Sequence, residues 1–488
     1  MTVIALDAGT SGVRALAVDD EGHPRATAYR ELTQYYPTPG WVEHDAAEIW
    51  RLAVAVLDDV ARAIDEPLAA IGITNQRETI IAWDRRTGQP LHRAIVWQDR
   101  RTAARCAELA PHLPEIRHRT GLVLDPYFSA TKIEWLLRHV DVGRNTQLAF
   151  GTVDTWLAWN LTGGTSFVTD PSNASRTMLY DIRAQRWSDD LMALFEIPRG
   201  VMADVVPSAG VCGTTVALGA VPSGVPVSSM LGDQQAALFG HGCFSPGMAK
   251  NTYGTGSFVL MNVGSECPPP ADGLLTTVAW QLADRSFTYA LEGAIFVTGA
   301  AIQWLRDGIG MIGDASEIGP LAESVSSSGG VVFVPAFTGL GSPWWDAHAR
   351  GTIVGLTRGS GRAELARATV EAMAFQTRDV VEAMVRASGR PLDELRVDGG
   401  ASVMDLLLRL QADQLSVAVV RSASAETTAL GAAFAAGVGC GVWTIDDVVR
   451  RWRTGARVEP SVDRGSADAD HARWRRAVER SRDWTIDD

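Results

Sequence analysis

Apolar and polar positions change period along this chain in blocks that predict its elements. Val3–Leu6 is a short apolar run, broken by Asp7-Ala8-Gly9-Thr10-Ser11-Gly12. Apolar residues resume at Val13 and Ala15–Val18, and Asp19-Asp20-Glu21-Gly22 turns the chain again. That pattern predicts strand, turn, strand, turn, with a third strand near Ala26–Leu32. In Ala47–Ile64 the period lengthens, and Ile49, Leu52, Val56, Val60 and Ile64 fall on one face of a helix. Ala69–Thr74 reads as a buried strand ending in Asn75-Gln76-Arg77-Glu78-Thr79, followed by a second strand at Ile80–Asp84. Helices are predicted at Thr102–Leu109, from Asp125-Pro126-Tyr127-Phe128 through Leu137, and after Gly151-Thr152-Val153-Asp154.

The second half repeats the first in outline. Gly232-Asp233-Gln234-Gln235 puts a carboxylate and two amides in a tight turn, and a helical run follows. After Ser245-Pro246-Gly247, a hairpin over Tyr253–Met261 carries Gly254-Thr255-Gly256 at its tip. A helix is predicted at Ala294–Leu305, a strand at Val331–Pro335 and a long helix at Glu364–Ala387, stopped by Ser388-Gly389. Strand Leu395–Val397 ends in Asp398-Gly399-Gly400-Ala401, before a helix at Leu406–Leu415. Ala429–Trp443 is uncharged and mostly apolar, but glycine-rich and shorter than the ~18 residues of a membrane span. It reads as a close-packed helix and turn. Val462–Asp470, polar and rich in Gly, Ser and Asp, predicts a mobile linker, and His471–Trp484 a last helix with an Arg-rich face.

Composition narrows the function class. A chain of 488 residues that is 46% hydrophobic should hold two or three domains with real cores. A net charge of −13 argues against nucleic acid as a partner. Nothing at the start of the sequence resembles a signal peptide, so no membrane insertion is expected. Five scattered cysteines suggest neither a disulfide framework nor a zinc site, and fit a reducing cytoplasm. Of the 44 Lys and Arg residues only Lys132 and Lys250 are lysines, and neither lies in G-x-x-x-x-G-K-[ST] or V-A-I-K. P-loop and protein-kinase-like phosphoryl transfer are thereby excluded.

The candidate chemistry lies in the turns. Asp7–Gly12 is either an ordinary small-residue hairpin turn or a set of backbone N–H groups facing an anion. Arg77 beside Glu78 is either a surface ion pair or a donor–acceptor set for vicinal hydroxyls. Gly399-Gly400 is either a plain strand-to-helix turn or a place where backbone approaches a phosphorylated ligand.

The order of these signals is more specific than any one of them. PGWVEHD at Pro39–Asp45, GITNQRET at Gly72–Thr79, AIVWQ at Ala94–Gln98 and GLVLDPYF at Gly121–Phe128 are followed by GTVDTW at Gly151–Trp156 and NASRTM at Asn173–Met178. GDQQAALFG at Gly232–Gly240, MAKNTYGTG at Met248–Gly256 and TTALGAA at Thr427–Ala433 complete the series. Over essentially its whole length the chain resembles the FGGY carbohydrate kinases, and among them those that phosphorylate glycerol. The resemblance implies an α/β fold of two ribonuclease-H-like domains, of the actin, Hsp70 and sugar-kinase superfamily, flanking a cleft. The expected domains are 1–244, with the polyol pocket and first phosphate turn, and 245–488, with the nucleotide site.

It further implies ATP-dependent phosphorylation of glycerol to sn-glycerol 3-phosphate, with Asp233 as general base. Arg77, Glu78, Tyr127, Asp233 and Gln234 would hold glycerol, between Trp97 and Phe258 as apolar walls. Thr10, Ser11, Gly12 and Arg14 would meet the phosphates, with Thr255 from the second domain. Gly299, Gln303, Gly400 and Met404 would border the nucleotide, although Met404-Asp405 stand where relatives carry two asparagines. Asp7 would sit near Mg²⁺, through water, because that ion dehydrates reluctantly. The expected partners are glycerol and ATP, in a cytoplasmic homo-oligomer, dimer or tetramer. A kinase for another polyol or ketose, and a non-catalytic nucleotide switch of actin or Hsp70 type, are the alternatives.

Overall fold

The computed structural model describes residues 1–140 and 147–485; the end of the expected second domain, 486–488, lies outside them. Three strands open the chain, β1 (Thr2–Ala8), β2 (Gly12–Val18) and β3 (Pro24–Glu31), then helix α1 (Ala46–Arg62) and strand β4 (Leu68–Asn75). Helix α2 (Ser129–His139), strands β5 (Ala209–Thr214) and β6 (Pro226–Gly232) and helix α3 (Asp233–Gly240) complete the first half's frame. The six strands form one sheet in the order β5-β6-β4-β1-β2-β3. The first three make an antiparallel meander, whereas β4 is parallel to both β1 and β6.

The second half builds the same pattern. Its strands are β7 (Ala249–Tyr253), β8 (Ser257–Gly264), β9 (Leu275–Gln281) and β10 (Phe287–Ile295), followed by helices α4 (Gly299–Gln303) and α5 (Arg362–Ser388). Strand β11 (Glu394–Asp398), helix α6 (Asp405–Leu415), strand β12 (Ala418–Ser422), helix α7 (Thr427–Gly439), strand β13 (Thr454–Val458) and helix α8 (Arg464–Ser481) follow. The seven-stranded sheet runs β9-β10-β8-β7-β11-β12-β13, with β7, β11 and β12 parallel. Each sheet therefore has a meander feeding parallel strands. In such sheets ligands gather at the carboxyl ends of the strands.

Strand periodicity decides which helix covers which face. In β1, Ile4 and Leu6 join the cluster with Ile49, Val56 and Val60 of α1, while Val3 and Ala5 join the cluster with Leu430, Ala433 and Phe434 of α7. The first sheet is thus covered on one side by a helix contributed from far down the chain. Helices α3 and α7 meet backbone to backbone: a Cβ on Gly431 would fall 1.8 Å from the Ala236 carbonyl oxygen, and one on Gly240 2.2 Å from that of Thr427. The apolar, glycine-rich segment is the close-packed helix expected of it, and no helix among the described residues is long and apolar enough to cross a membrane.

Three local expectations are corrected. Val462–Asp470 is not a linker, because α8 begins at Arg464. Asp463 caps it, accepting from the Ser466 N–H at 3.0 Å, and Ala467 is buried while Asp468 pairs with Arg378. Its polar sequence is the exposed first turns of a helix. Ala294 and Ile295 end strand β10 rather than begin a helix, since Ala294 pairs with Phe258 and the helix starts at Gly299. Gly232–Gln235 is a strand end running straight into the first turn of α3, not a tight turn.

Candidate active site

Asp7, the Asn75–Glu78 segment and Gly232-Asp233 stand at the carboxyl ends of the adjacent parallel strands β1, β4 and β6. Asp233 opens α3 with a side chain 30% exposed, and its Oδ1 lies 3.2 Å from Arg77 Nε. The helix N-terminus favours negative charge there. Arg77 also reaches the aromatic residues: its Nη2 donates to Tyr127 Oη at 3.4 Å, its guanidinium lies 5.9 Å from the Phe258 ring, and Trp97 meets Tyr127 edge to face with centroids 5.5 Å apart. Trp97 also donates from Nε1 to Thr10 Oγ1 at 2.8 Å, tying the aromatic wall to the first turn.

Arg77 and Glu78 are buried, so the surface-pair reading fails. They are not chiefly each other's partners: their charged atoms are 3.9 Å apart. Arg77 grips Glu292 with two bonds, 2.5 and 3.1 Å, and Arg176 bridges Glu78 at 2.6 Å and Glu292 at 2.9 Å. Two cations and two anions thus close a buried square under the pocket. Burial alone would raise Glu292, but Arg176 and Arg77 hold it down to about 2, whereas burial raises Glu78 above the usual range against the pull of the same arginines. Glu78 adopts φ 59°, a left-handed conformation costly for a side chain and held here by this network. Arg176 and Glu292 carry no role in the sequence reading. The lone acid in the apolar strand sequence FTYALEGAI was the available signal for Glu292.

Asp7 is half-buried, and loss of hydration pushes its carboxyl up to about 7, opposed by Arg14 and reinforced by Asp233. A half-buried carboxylate that also feels the charge of a second one gains from a divalent cation. The adjoining turn closes with the Gly9 N–H on the Gly12 carbonyl at 2.9 Å, while Ser11 is exposed. Gly12 has no room for a side chain: a Cβ would come within 2.5 Å of the Arg30 carbonyl oxygen and the Tyr29 hydroxyl. Arg14 does not stand free for phosphate, because Glu426, at the start of α7, pairs with it across the molecule.

In the second half, the ends of β7 and β11 open a cavity of about 800 Å³ lined by Thr255, Gly299, Gln303, Gly400 and Met404 among others. All five expected nucleotide-side residues therefore share one space. Gly399 adopts φ +86° with the Tyr253 carbonyl oxygen 2.3 Å from where a Cβ would be, so the two turns touch through backbone. A Cβ on Gly299 would fall 2.7 Å from the Gly254 carbonyl oxygen, to which the Gly299 N–H donates at 3.0 Å. Val403, 71% exposed, also lines the cavity and escaped the sequence reading.

Models of the FGGY family of carbohydrate kinases match residues 2–240 with the N-terminal domain and 249–440 with the C-terminal domain. The chain belongs to this family. Glycerol kinase of Aromatoleum aromaticum is 54% identical over 99% of both chains, and that of Deinococcus radiodurans 51% identical over 99% of this chain and 98% of its own. Among solved structures, glycerol kinase of Plasmodium falciparum with ADP superposes with a TM-score of 0.93 at 32% identity, covering 98% of each chain. The two matched domains correspond to the two sheets, and this FGGY kinase carries Asp7 and Asp233 at the strand ends of the first sheet and the cavity at those of the second.

Proposed function

We propose that this kinase phosphorylates a terminal hydroxyl of glycerol with ATP, giving sn-glycerol 3-phosphate. The observation that carries the reading is Asp233: a part-exposed carboxylate anchored on Arg77, which also touches Tyr127 and Phe258, and close enough to Asp7 for their charges to interact. Three aromatic walls favour a small acceptor, and the 54% and 51% identical relatives that bear the name glycerol kinase point the same way. A pure nucleotide switch would need neither the walls nor the acid.

A carboxylate is too weak a base to deprotonate an alkanol in the ground state. Asp233 instead takes the hydroxyl proton as the oxygen–phosphorus bond forms, worth roughly 10²–10⁴-fold. Positioning and charge neutralisation supply the rest, because the transition state is loose. Thr10, Ser11, Gly12 and Thr255 present the two phosphate-facing turns, and Gly299, Gln303, Gly400 and Met404 hold the nucleotide. The Asp7–Asp233 pair fits Mg²⁺, which when bound with the nucleotide neutralises phosphate charge, and Asp7 would hold it.

An ADP-release assay over glycerol, dihydroxyacetone, erythritol, xylulose and ribulose, run beside Asp233→Asn, tests both halves of the reading. Glycerol should be the best acceptor, and the variant should lose about 10²-fold or more in kcat. Glycerol no better than water ends the substrate assignment, and near-normal turnover by the variant ends the role of Asp233.

A further inference from the structure

Arginine replaces lysine almost everywhere in this chain, yet both remaining lysines are buried beneath the acceptor pocket, with no exposed surface. Lys132, on α2, donates from Nζ to the carbonyl oxygens of Tyr127 at 2.6 Å and Glu78 at 3.3 Å. Lys250, on β7, donates to Gln234 Oε1 at 2.5 Å, Thr252 Oγ1 at 2.9 Å and the Phe258 carbonyl oxygen at 3.3 Å. Each ammonium therefore joins two pocket residues: Glu78 with Tyr127, and Gln234 with Phe258.

We propose that Lys132 and Lys250 are positioning residues of the acceptor pocket, and that Lys250 sets the orientation of the Gln234 amide so that its Nε2 points a donor at the acceptor hydroxyl. An ammonium donates and never accepts, so the Gln234 oxygen must face Lys250. Gln234 Nε2 then bonds no protein atom among the described residues. A guanidinium is planar and larger, and cannot replace a compact three-donor head among acceptors this close. That explains the survival of lysine here in a chain that otherwise uses arginine.

The electrostatics agree. Burial pulls Lys250 down to about 8, while Asp398, Asp233 and Glu292 support its charge and Arg77 opposes it. Burial likewise pulls Lys132 down to about 8, against Glu78, Asp99, Asp125 and Cys106.

The inference rests on glycerol being the acceptor, and a double-mutant cycle tests it. Lys250→Met should raise the glycerol KM up to about tenfold, as expected for losing the amide–hydroxyl hydrogen bond, with the ATP KM within about twofold. In a Gln234→Leu background the same change should add nothing to the glycerol KM. Additive effects, or a lower unfolding temperature with both KM values unchanged, overturn the positioning role. Lys132→Met should likewise raise the glycerol KM with the ATP KM unmoved, and an unmoved glycerol KM removes Lys132 from the proposal. Should the variants not fold, the wild-type enzyme carrying [ε-¹³C]lysine decides. Two lysines give two signals, and saturating glycerol must shift both; signals that stay put refute the idea. If the enzyme ignores glycerol but phosphorylates another polyol, the substrate assignment falls while the same cycle is run with that polyol.

Discussion

Glu292→Gln removes one negative charge from the buried square and keeps the side chain's shape. Arg77 and Arg176 are then left with Glu78 as their remaining partner in it. Glu292 sits at about 2 in the fold against an ordinary 4.5, a depressed carboxylate. Its stabilisation is therefore complete above pH 4.5 and lost as the pH falls towards 2. The gap converts to about 3 kcal/mol at pH 7, close to the roughly 3–5 kcal/mol for breaking a buried pair from one side. Urea unfolding at pH 7 should show that loss, and the difference from wild type should narrow below pH 4.5. Turnover should fall as well, because the Arg77 charge, no longer met by Glu292, acts on Asp233 at 3.2 Å and competes with the acceptor. A variant as stable as wild type at pH 7, or a deficit unchanged between pH 7 and pH 3.5, would show that charge in the square is not what stabilises it.

Three further outcomes follow from particular contacts. Burial holds His44 at about 4 rather than 6.5, so it folds neutral, between Gln34 at 2.9 Å and Gln76 at 3.2 Å. Stability should fall by about 3 kcal/mol as the pH drops from 6.5 towards 4, and His44→Gln should remove that dependence in unfolding titrations. Glu426→Gln should release Arg14 and lower the ATP KM several-fold with the glycerol KM unchanged; an unchanged ATP KM would mean that Arg14 does not serve the nucleotide. Gly431→Ala forces a methyl to 1.8 Å from the Ala236 carbonyl oxygen, and should cost about 1–3 kcal/mol or more in thermal unfolding; wild-type stability would mean the two helices can separate freely.

Legibility of the site followed the distance over which its residues act. Asp7 and the Gly399-Gly400 turn follow short apolar runs that mark strand ends in sequence, whereas the strand ahead of Asp233 went unread and Gly232–Gln235 passed for a tight turn. The cavity-side set from Thr255 to Met404 was likewise readable from turns and resemblance, and it converges in one space. The buried square was not readable, because Arg77 and Glu292 are neighbours only after two halves of the chain meet. Glu78 illustrates the limit: adjacency to Arg77 suggested a pair, whereas the fold turns its carboxylate onto Arg176. The start of α8 was misread because a polar composition alone does not separate a linker from a capped, half-solvated helix.

The cover that α7 gives the first sheet also sets an order of events during synthesis. Val3, Ala5, Val18 and Ala70 are made more than 350 residues before Ala429, Ala432, Ala433 and Phe434, which close their apolar face. Until those residues leave the ribosome that face has no lid, although α1 can already cover the opposite one. A nascent chain of this kind carries a sticky sheet until α7 emerges, the circumstance in which chaperones act. A chain stopped before residue 427 would retain the strands β1 and β6 that lead to Asp7 and Asp233 but not the helix that keeps their sheet from self-association.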